Sequence, residues 1–221
     1  MYGLRAYIPG LRDFHRYEAM VGPLGYWREL QKYQLQLLVA NGLKPDHRLL
    51  DIGCGPLQGG IAFIKYLNRK GYAGIDLDPL RIQAAHQQIA RHRLADKSPN
   101  VQVSETFGKA ELGSDSFDFV WASQILYYFN DNIMADLLAT IRPRLNPGGK
   151  LLGDVFAPDH YEFRFPEHPG RYVRHTPESL QMLAQKHGFH VRGLGTIGDF
   201  GYPKRLSLRT NLLFEFTPQS G

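Results

Sequence analysis

Hydrophobic and polar positions along this chain fall into two rhythms. From Trp27 to Val39, Leu30, Tyr33 and Leu37 recur at helical spacing, and Asn41-Gly42 supplies a stop. Between Asp131 and Leu145, Ile133, Leu137, Leu138 and Ile141 repeat with a period of about 3.6, with Pro143 set to distort the last turn. Thr176 followed by Pro177 reads as a helix start, a hydroxyl cap and then proline in the first turn. Leu180 and Leu183 face inward on that helix and Gly188 ends it. Leu49, Leu50 and Ile52 read instead as the apolar end of a buried parallel strand. Phe189–Leu194 and Leu206–Phe216 read as two later strands joined by a loop with Gly198, Gly201 and Pro203. Strands alternating with helices predict a doubly wound α/β sheet.

The strand at Leu49 runs into Leu-Leu-Asp-Ile-Gly-Cys-Gly-Pro-Leu-Gln-Gly-Gly, residues 49 to 60. Gly53 and Gly55 stand where such a strand must turn, and without a Cβ they can take positive φ and let a ligand lie against the main chain. Two ligand types suit such a turn. The dinucleotide fingerprint needs a small sixth residue for helix and strand to close, and here that residue is Gln58. Asp51 before the turn suits a zwitterionic amino acid instead, its ammonium near a carboxylate and its own carboxylate on backbone N–H groups.

Leu49 to Gly60 resembles motif I of the class I S-adenosylmethionine-dependent methyltransferases. Four further segments are similar to that family in order. Gly74-Ile-Asp-Leu-Asp-Pro79 resembles the end of a second strand, with Asp76, ahead of Asp78, as the acid for the ribose hydroxyls. Asn100–Thr106 resembles the third strand and sets Glu105 near the adenine amino group, where the family usually has Asp. Phe117–Ser123 resembles the fourth strand, and Leu145-Asn-Pro-Gly-Gly-Lys-Leu-Leu152 the helix end, turn and fifth strand. The resemblance covers about residues 47 to 192. It implies a Rossmann-like, doubly wound, seven-stranded α/β sheet, mostly parallel with an antiparallel C-terminal hairpin, and S-adenosyl-L-methionine as cofactor. The cofactor-binding set it implies is Asp51, Gly53, Cys54, Gly55, Asp76, Leu77, Glu105, Thr106 and Ser123. Pro56-Leu57-Gln58-Gly59-Gly60 makes this loop longer than the family's usual form.

Composition agrees with one domain over residues 1–221: 43% of the 221 residues are apolar, enough for a substantial core. One cysteine, Cys54, excludes an intramolecular disulfide, and its setting reads as packing rather than as a nucleophile. With no secretory leader and no long apolar run, the expectation is a soluble cytoplasmic protein. The net charge of +5 is compatible with an anionic partner but is not concentrated in a tail. Arg81, Arg91, His92 and Arg93 read as a solvated helix face.

The acceptor must be recognised by what remains. Residues 1–27 hold Tyr7, Phe14, Tyr17, Tyr26 and Trp27, either an aromatic lid over a sulfonium or a hydrophobic arm covering the sheet or a partner copy. Residues 153–176 read as an irregular substrate-side insertion, with Asp154, His160, Tyr161, Arg164, His168, Arg171, Arg174 and His175 among prolines. Tyr127, His160 and His175 are the catalytic candidates, Tyr127 to orient the acceptor and a histidine to take a proton; Asp154 is a further base candidate. Tyr26, Tyr128, Arg164 and Arg174 are the acceptor-binding candidates, the arginines suiting an anionic group. No spacing argues for a metal. Amino-methyltransferases acting on bases in DNA, and several acting on RNA or protein amides, resemble one another in an Asn/Asp-Pro-Pro-aromatic tetrad after the fourth strand, where this chain has Ala122-Ser-Gln-Ile125. The expected partner is therefore a small-molecule acceptor rather than nucleic acid or membrane, with the protein a monomer or homodimer. An RNA- or protein-directed enzyme and a non-catalytic scaffold are the alternatives.

Overall fold

The computed structural model describes residues 13–160 and 172–219, with side chains from Arg16 onward. Seven strands form one sheet in the order β3-β2-β1-β4-β5-β7-β6, six parallel and β7 antiparallel, the Rossmann-like arrangement that the resemblance implied. The chain divides into two compact units, residues 1–105 and 106–221.

The first unit runs α1 (Asp13–Val21), α2 (Trp27–Ala40), β1 (Leu49–Ile52), α3 (Gly60–Tyr66), β2 (Tyr72–Asp76), α4 (Pro79–Arg91) and β3 (Asn100–Val103). β1 pairs in parallel with β2 from Leu49↔Tyr72 to Ile52↔Ile75, and β2 with β3 from Ala73↔Asn100 to Asp76↔Val103. Every residue of β1 and β2 is buried, which accounts for the unbroken apolar run. The helical spacing read over Trp27–Val39 is α2, burying Trp27, Leu30, Tyr33, Gln34, Leu37 and Leu38. Asp78 caps α4 by accepting from Leu80 N, with Pro79 in the first turn. The third strand is shorter than expected, ending at Val103 rather than Thr106.

The second unit runs β4 (Phe117–Ala122), α5 (Asp131–Ile141), β5 (Leu145–Val155), α6 (Pro177–Lys186), β6 (Phe189–Thr196) and β7 (Leu212–Pro218). α5 stops at Ile141 and Arg142–Arg144 form a single 3₁₀ turn, the distortion expected of Pro143. Thr176 caps α6 reciprocally with Ser179, and Gly188 follows its end at φ +77°. Two expectations are corrected. β5 continues to Val155 because β7 pairs along its whole end, Leu152↔Glu215 to Val155↔Leu212, so residues 153–155 belong to the sheet and not to an insertion. Leu206–Thr210 are not strand: the ladder on β5 ends at Val155↔Leu212, and the preceding residues take local turns, Arg209 N to Leu206 O and Asn211 N to Leu208 O.

Candidate active site

In the first unit, Gly53 and Gly55 turn the chain off β1 at φ +72° and +53°, the left-handed region that their glycine identity permits. Gly53 N and Cys54 N both donate to Ile75 O, and Gly55 N donates to Asp76 Oδ2 over 2.9 Å. Asp76 Oδ1 accepts from Asp78 N over 2.9 Å, and Arg81 stands 3.9 Å from Oδ2 and 3.6 Å from Asp78. Asp76 is thus buried and held from three directions, while its neighbour Leu77 is 66% exposed. An apolar side chain beside a buried acid at a strand's end offers a flat ligand one surface and one acceptor.

Asp51 is buried and accepts from the Tyr72 hydroxyl over 2.8 Å. Burial pushes its carboxyl up to about 7, with the Tyr72 bond acting downward and Asp76 upward. Burial, then the Asp51 and Asp76 charges, push the Cys54 thiol well up, which suits packing and not nucleophilic attack. Leu57 is fully buried at φ +64°, a left-handed conformation unusual for a side chain of its size. Glu105 is exposed.

Helix α1 reaches this loop. A Cβ on Gly55 would lie 2.9 Å from Val21 Cγ1, Tyr17 donates its hydroxyl to Gln87 Oε1 over 2.9 Å, and Ala19 and Met20 pack with Ala84. The buried Glu18 carboxylate accepts from Gly25 N and Trp27 N, fixing the bend between α1 and α2. Tyr26 is half-buried at that bend. Tyr7 and the Phe14 side chain lie outside what the structure describes.

In the second unit, the residues after β4 and β5 gather into an aromatic group. Tyr127 stacks on Phe156 at 3.9 Å between ring centroids and 8° between planes, and Phe156 stacks on His160 at 4.1 Å and 3°. Tyr172 meets Tyr127, Tyr128 and Phe156 at 5.9, 5.3 and 5.2 Å. Tyr127 and His160 are buried, whereas Tyr128 is 44% exposed. Burial pushes the Tyr127 hydroxyl well up, with Asp154 adding to it, so it stays protonated at neutral pH. His175 is buried with Nε2 2.8 Å from Phe129 O; a carbonyl only accepts, so that nitrogen carries a proton and donates. Ser123 is half-buried, Arg174 and Thr106 are exposed, and Thr106 Oγ1 donates to Glu111 Oε2 over 3.4 Å. Arg164, Tyr161, His168 and Arg171 lie outside the described residues.

Asp154, at the end of β5, is fully buried and accepts from Gln124 N (2.8 Å) and Asn211 Nδ2 (2.7 Å). Gln124, left-handed at φ +56°, donates from Nε2 to the Tyr202 hydroxyl over 3.0 Å. Burial pushes Asp154 up to about 6 against the Asn211 and Gln124 bonds. Tyr72, Gln124, Tyr172, Tyr202 and Asn211 were not singled out from the sequence. The one signal available was Tyr72 two positions before Gly74, on the same face of a buried strand.

A family model described as "Methyltransferase domain" matches residues 26–194. Among solved structures, a magnesium protoporphyrin IX methyltransferase from Synechocystis PCC 6803 with bound SAH superposes with a TM-score of 0.66 at 17% identity, covering 99% of this chain and 93% of that one. A S-adenosylmethionine-dependent methyltransferase from Clostridium acetobutylicum ATCC 824 gives 0.69 at 10% identity, covering 93% and 97%. The CcbJ methyltransferase from Streptomyces caelestis gives 0.66 at 16% identity, covering 89% and 97%. With the family model spanning well over half of the chain and the fold shared with these enzymes, this protein belongs to the class I S-adenosylmethionine-dependent methyltransferases.

Proposed function

We propose that the enzyme methylates an oxygen or nitrogen of a small molecule, of the kind modified in natural-product tailoring. The observation that carries this reading is Tyr128, 44% exposed just past β4, with the Tyr127 and Tyr172 rings 4.8 and 5.3 Å away. Ligands of open α/β sheets bind beyond the carboxyl ends of the strands, and an open aromatic surface there suits a compact organic acceptor better than a phosphate backbone. The magnesium protoporphyrin IX methyltransferase, by its name, acts on a small molecule as well.

Bound S-adenosylmethionine supplies a methyl group already activated on a sulfonium, so the chain's residues have to orient the acceptor, exclude water and take one proton. The loop residues fit that cofactor: Gly53, Cys54 and Gly55 offer backbone, Asp51 takes the methionine ammonium, and Asp76 takes the ribose hydroxyls. Leu77 covers one face of the adenine, with Glu105, Thr106 and Ser123 completing its surroundings. Val21 against Gly55 supports the lid reading of residues 1–27. On the acceptor side Tyr127 and Tyr128 orient the substrate, and Tyr26 of the lid is a further acceptor-binding residue. His160, or His175 through the Nδ1 that its Nε2–H donation to Phe129 O leaves as an acceptor, takes the proton of a hydroxyl substrate, a contribution of about 10²–10⁴-fold. Arg174 and Arg164 hold an anionic group of the acceptor. The enzyme acts as a cytoplasmic monomer or homodimer without nucleic acid; no helix among the described residues is long and apolar enough to cross a membrane.

The test is incubation of the purified protein and methyl-labelled S-adenosylmethionine with a whole-cell extract separated into small-molecule, RNA and protein fractions. Label in the small-molecule fraction, reduced by Tyr128→Ala while cofactor affinity holds, is expected. Label confined to RNA or protein overturns the reading.

A further inference from the structure

The first unit holds a buried hydrogen bond that strand pairing does not require. Tyr72, the first residue of β2, donates its hydroxyl to Asp51 Oδ2 over 2.8 Å. In the sheet Asp51 stands opposite Gly74, which lies two residues beyond Tyr72 and on the same face. Because Gly74 has no side chain, the Tyr72 ring lies along the strand across the gap: a Cβ there would sit 3.0 Å from ring Cε1 and 2.9 Å from the hydroxyl oxygen. Gly60 at the start of α3 leaves room for the same group, since its Cβ would lie 2.6 Å from that oxygen. Phe63 of α3 covers the ring at 6.4 Å and 30°. Two absent side chains and one aromatic ring therefore form a slot whose far end is the motif I carboxylate.

Phenylalanine would fill the slot equally well for packing, and the hydroxyl adds a buried polar group that must find an acceptor. Its effect falls on Asp51. One carboxylate oxygen is committed, the side chain is held in one orientation, and the other oxygen keeps its acceptor capacity. We propose that Tyr72 is a positioning residue for the amino-acid end of the cofactor, its hydroxyl aiming the Asp51 carboxylate at the methionine ammonium. This rests on the assignment of Asp51 to that ammonium. The groups facing Asp51 are Tyr72 and Asp76 on β2 and Cys54 in the loop, with Arg81 of α4 beyond Asp76. Burial and Asp76 favour the neutral acid, and of these neighbours the Tyr72 bond favours the ionised form that an ammonium needs.

Calorimetric titration of S-adenosylhomocysteine and of 5′-methylthioadenosine, which keeps the nucleoside and thioether but lacks the amino acid, separates this role from simple packing. Tyr72→Phe is expected to weaken S-adenosylhomocysteine about tenfold and to leave 5′-methylthioadenosine within about twofold. It is also expected to move the pH midpoint of S-adenosylhomocysteine affinity upward. Asp51→Asn should show the same selectivity with that pH dependence removed. Equal weakening of both ligands by Tyr72→Phe, or no weakening of either, overturns the role of Tyr72 while leaving Asp51 in place. A non-selective Asp51→Asn overturns the assignment of Asp51 and the inference with it.

Discussion

Gly55 donates its backbone N–H to Asp76 Oδ2 over 2.9 Å, so the acid assigned to the ribose is also the fastener between the glycine loop and the end of β2. The same carboxylate accepts from Asp78 N at the start of α4. Loop, strand and helix are thereby held by one side chain, and loop geometry and cofactor recognition cannot be altered separately at this position.

Replacing Asp76 should therefore cost both stability and binding. Asp76→Ala leaves two backbone donors of a buried site without their acceptor, an expected loss of about 1–3 kcal/mol in urea unfolding together with loss of S-adenosylmethionine binding by calorimetry. Asp76→Asn keeps one carbonyl acceptor and should lose less stability. A variant that keeps wild-type affinity would remove Asp76 from the cofactor site.

The contribution of two buried carboxyls to stability should fall as pH rises from about 4 to about 7. The folded-state carboxyls of Asp51 and Asp154 are raised, chiefly by burial, to about 7 and about 6 from an ordinary 3.8. Between those values the folded chain binds more protons than the unfolded one, so the stability they contribute is complete below the ordinary value and is lost as pH rises through the folded values. For Glu215, burial acts upward, but Lys150 and Arg192 hold the carboxyl below its ordinary value, and its contribution is lost only at more acidic pH. Urea midpoints across the range give the slope, and Asp154→Asn should flatten its lower half. Affinity for the cationic cofactor should run the other way, rising as Asp51 ionises.

His175 is expected to act as a structural pin. His175 itself is buried and its bond to Phe129 O is part-buried, so His175→Ala should lower stability by about 1–3 kcal/mol. His175→Gln, whose amide can donate to the same carbonyl, should recover part of the loss in thermal unfolding. Unchanged stability in both variants would show that the bond contributes nothing.

Leu57→Gly sets two effects against each other. Relief of the left-handed backbone is worth about 1–3 kcal/mol, while removing a fully buried leucine costs about 2–5 kcal/mol. The second effect is the larger, and a lower melting temperature is expected in a thermal scan. A higher one would mean that strain dominates at Leu57.

The glycine turn and the strand ends beside it were readable because their signals are local. Apolar residues, Asp51, Gly53 and Gly55 lie within one strand and turn, and Asp76 ends the next strand at the expected interval. The Thr176–Pro177 start and the Gly188 stop of α6 were readable for the same reason, since a cap is satisfied within a few residues. Arg81 shows the limit of such reading. On a helical pattern it is a surface charge, yet it faces Asp76 and Asp78, because the bend between β2 and α4 brings the first turn of the helix back over the strand end. Leu206–Thr210 looked like strand because the sequence cannot show where the β5 edge ends.

By itself the amino-acid sequence determined the order of strands and helices, the glycine turn and the acids beside it, since apolar periodicity, caps and turns depend on neighbours a few residues apart. The tertiary structure alone decided which polar groups meet: Tyr72 with Asp51 across 21 residues, Asp154 with Asn211 across 57, Gln124 with Tyr202 across 78. Each partner is an ordinary residue in its own segment. Pairing between strands distant in sequence brings them together, and burial then requires every donor and acceptor so enclosed to find its match.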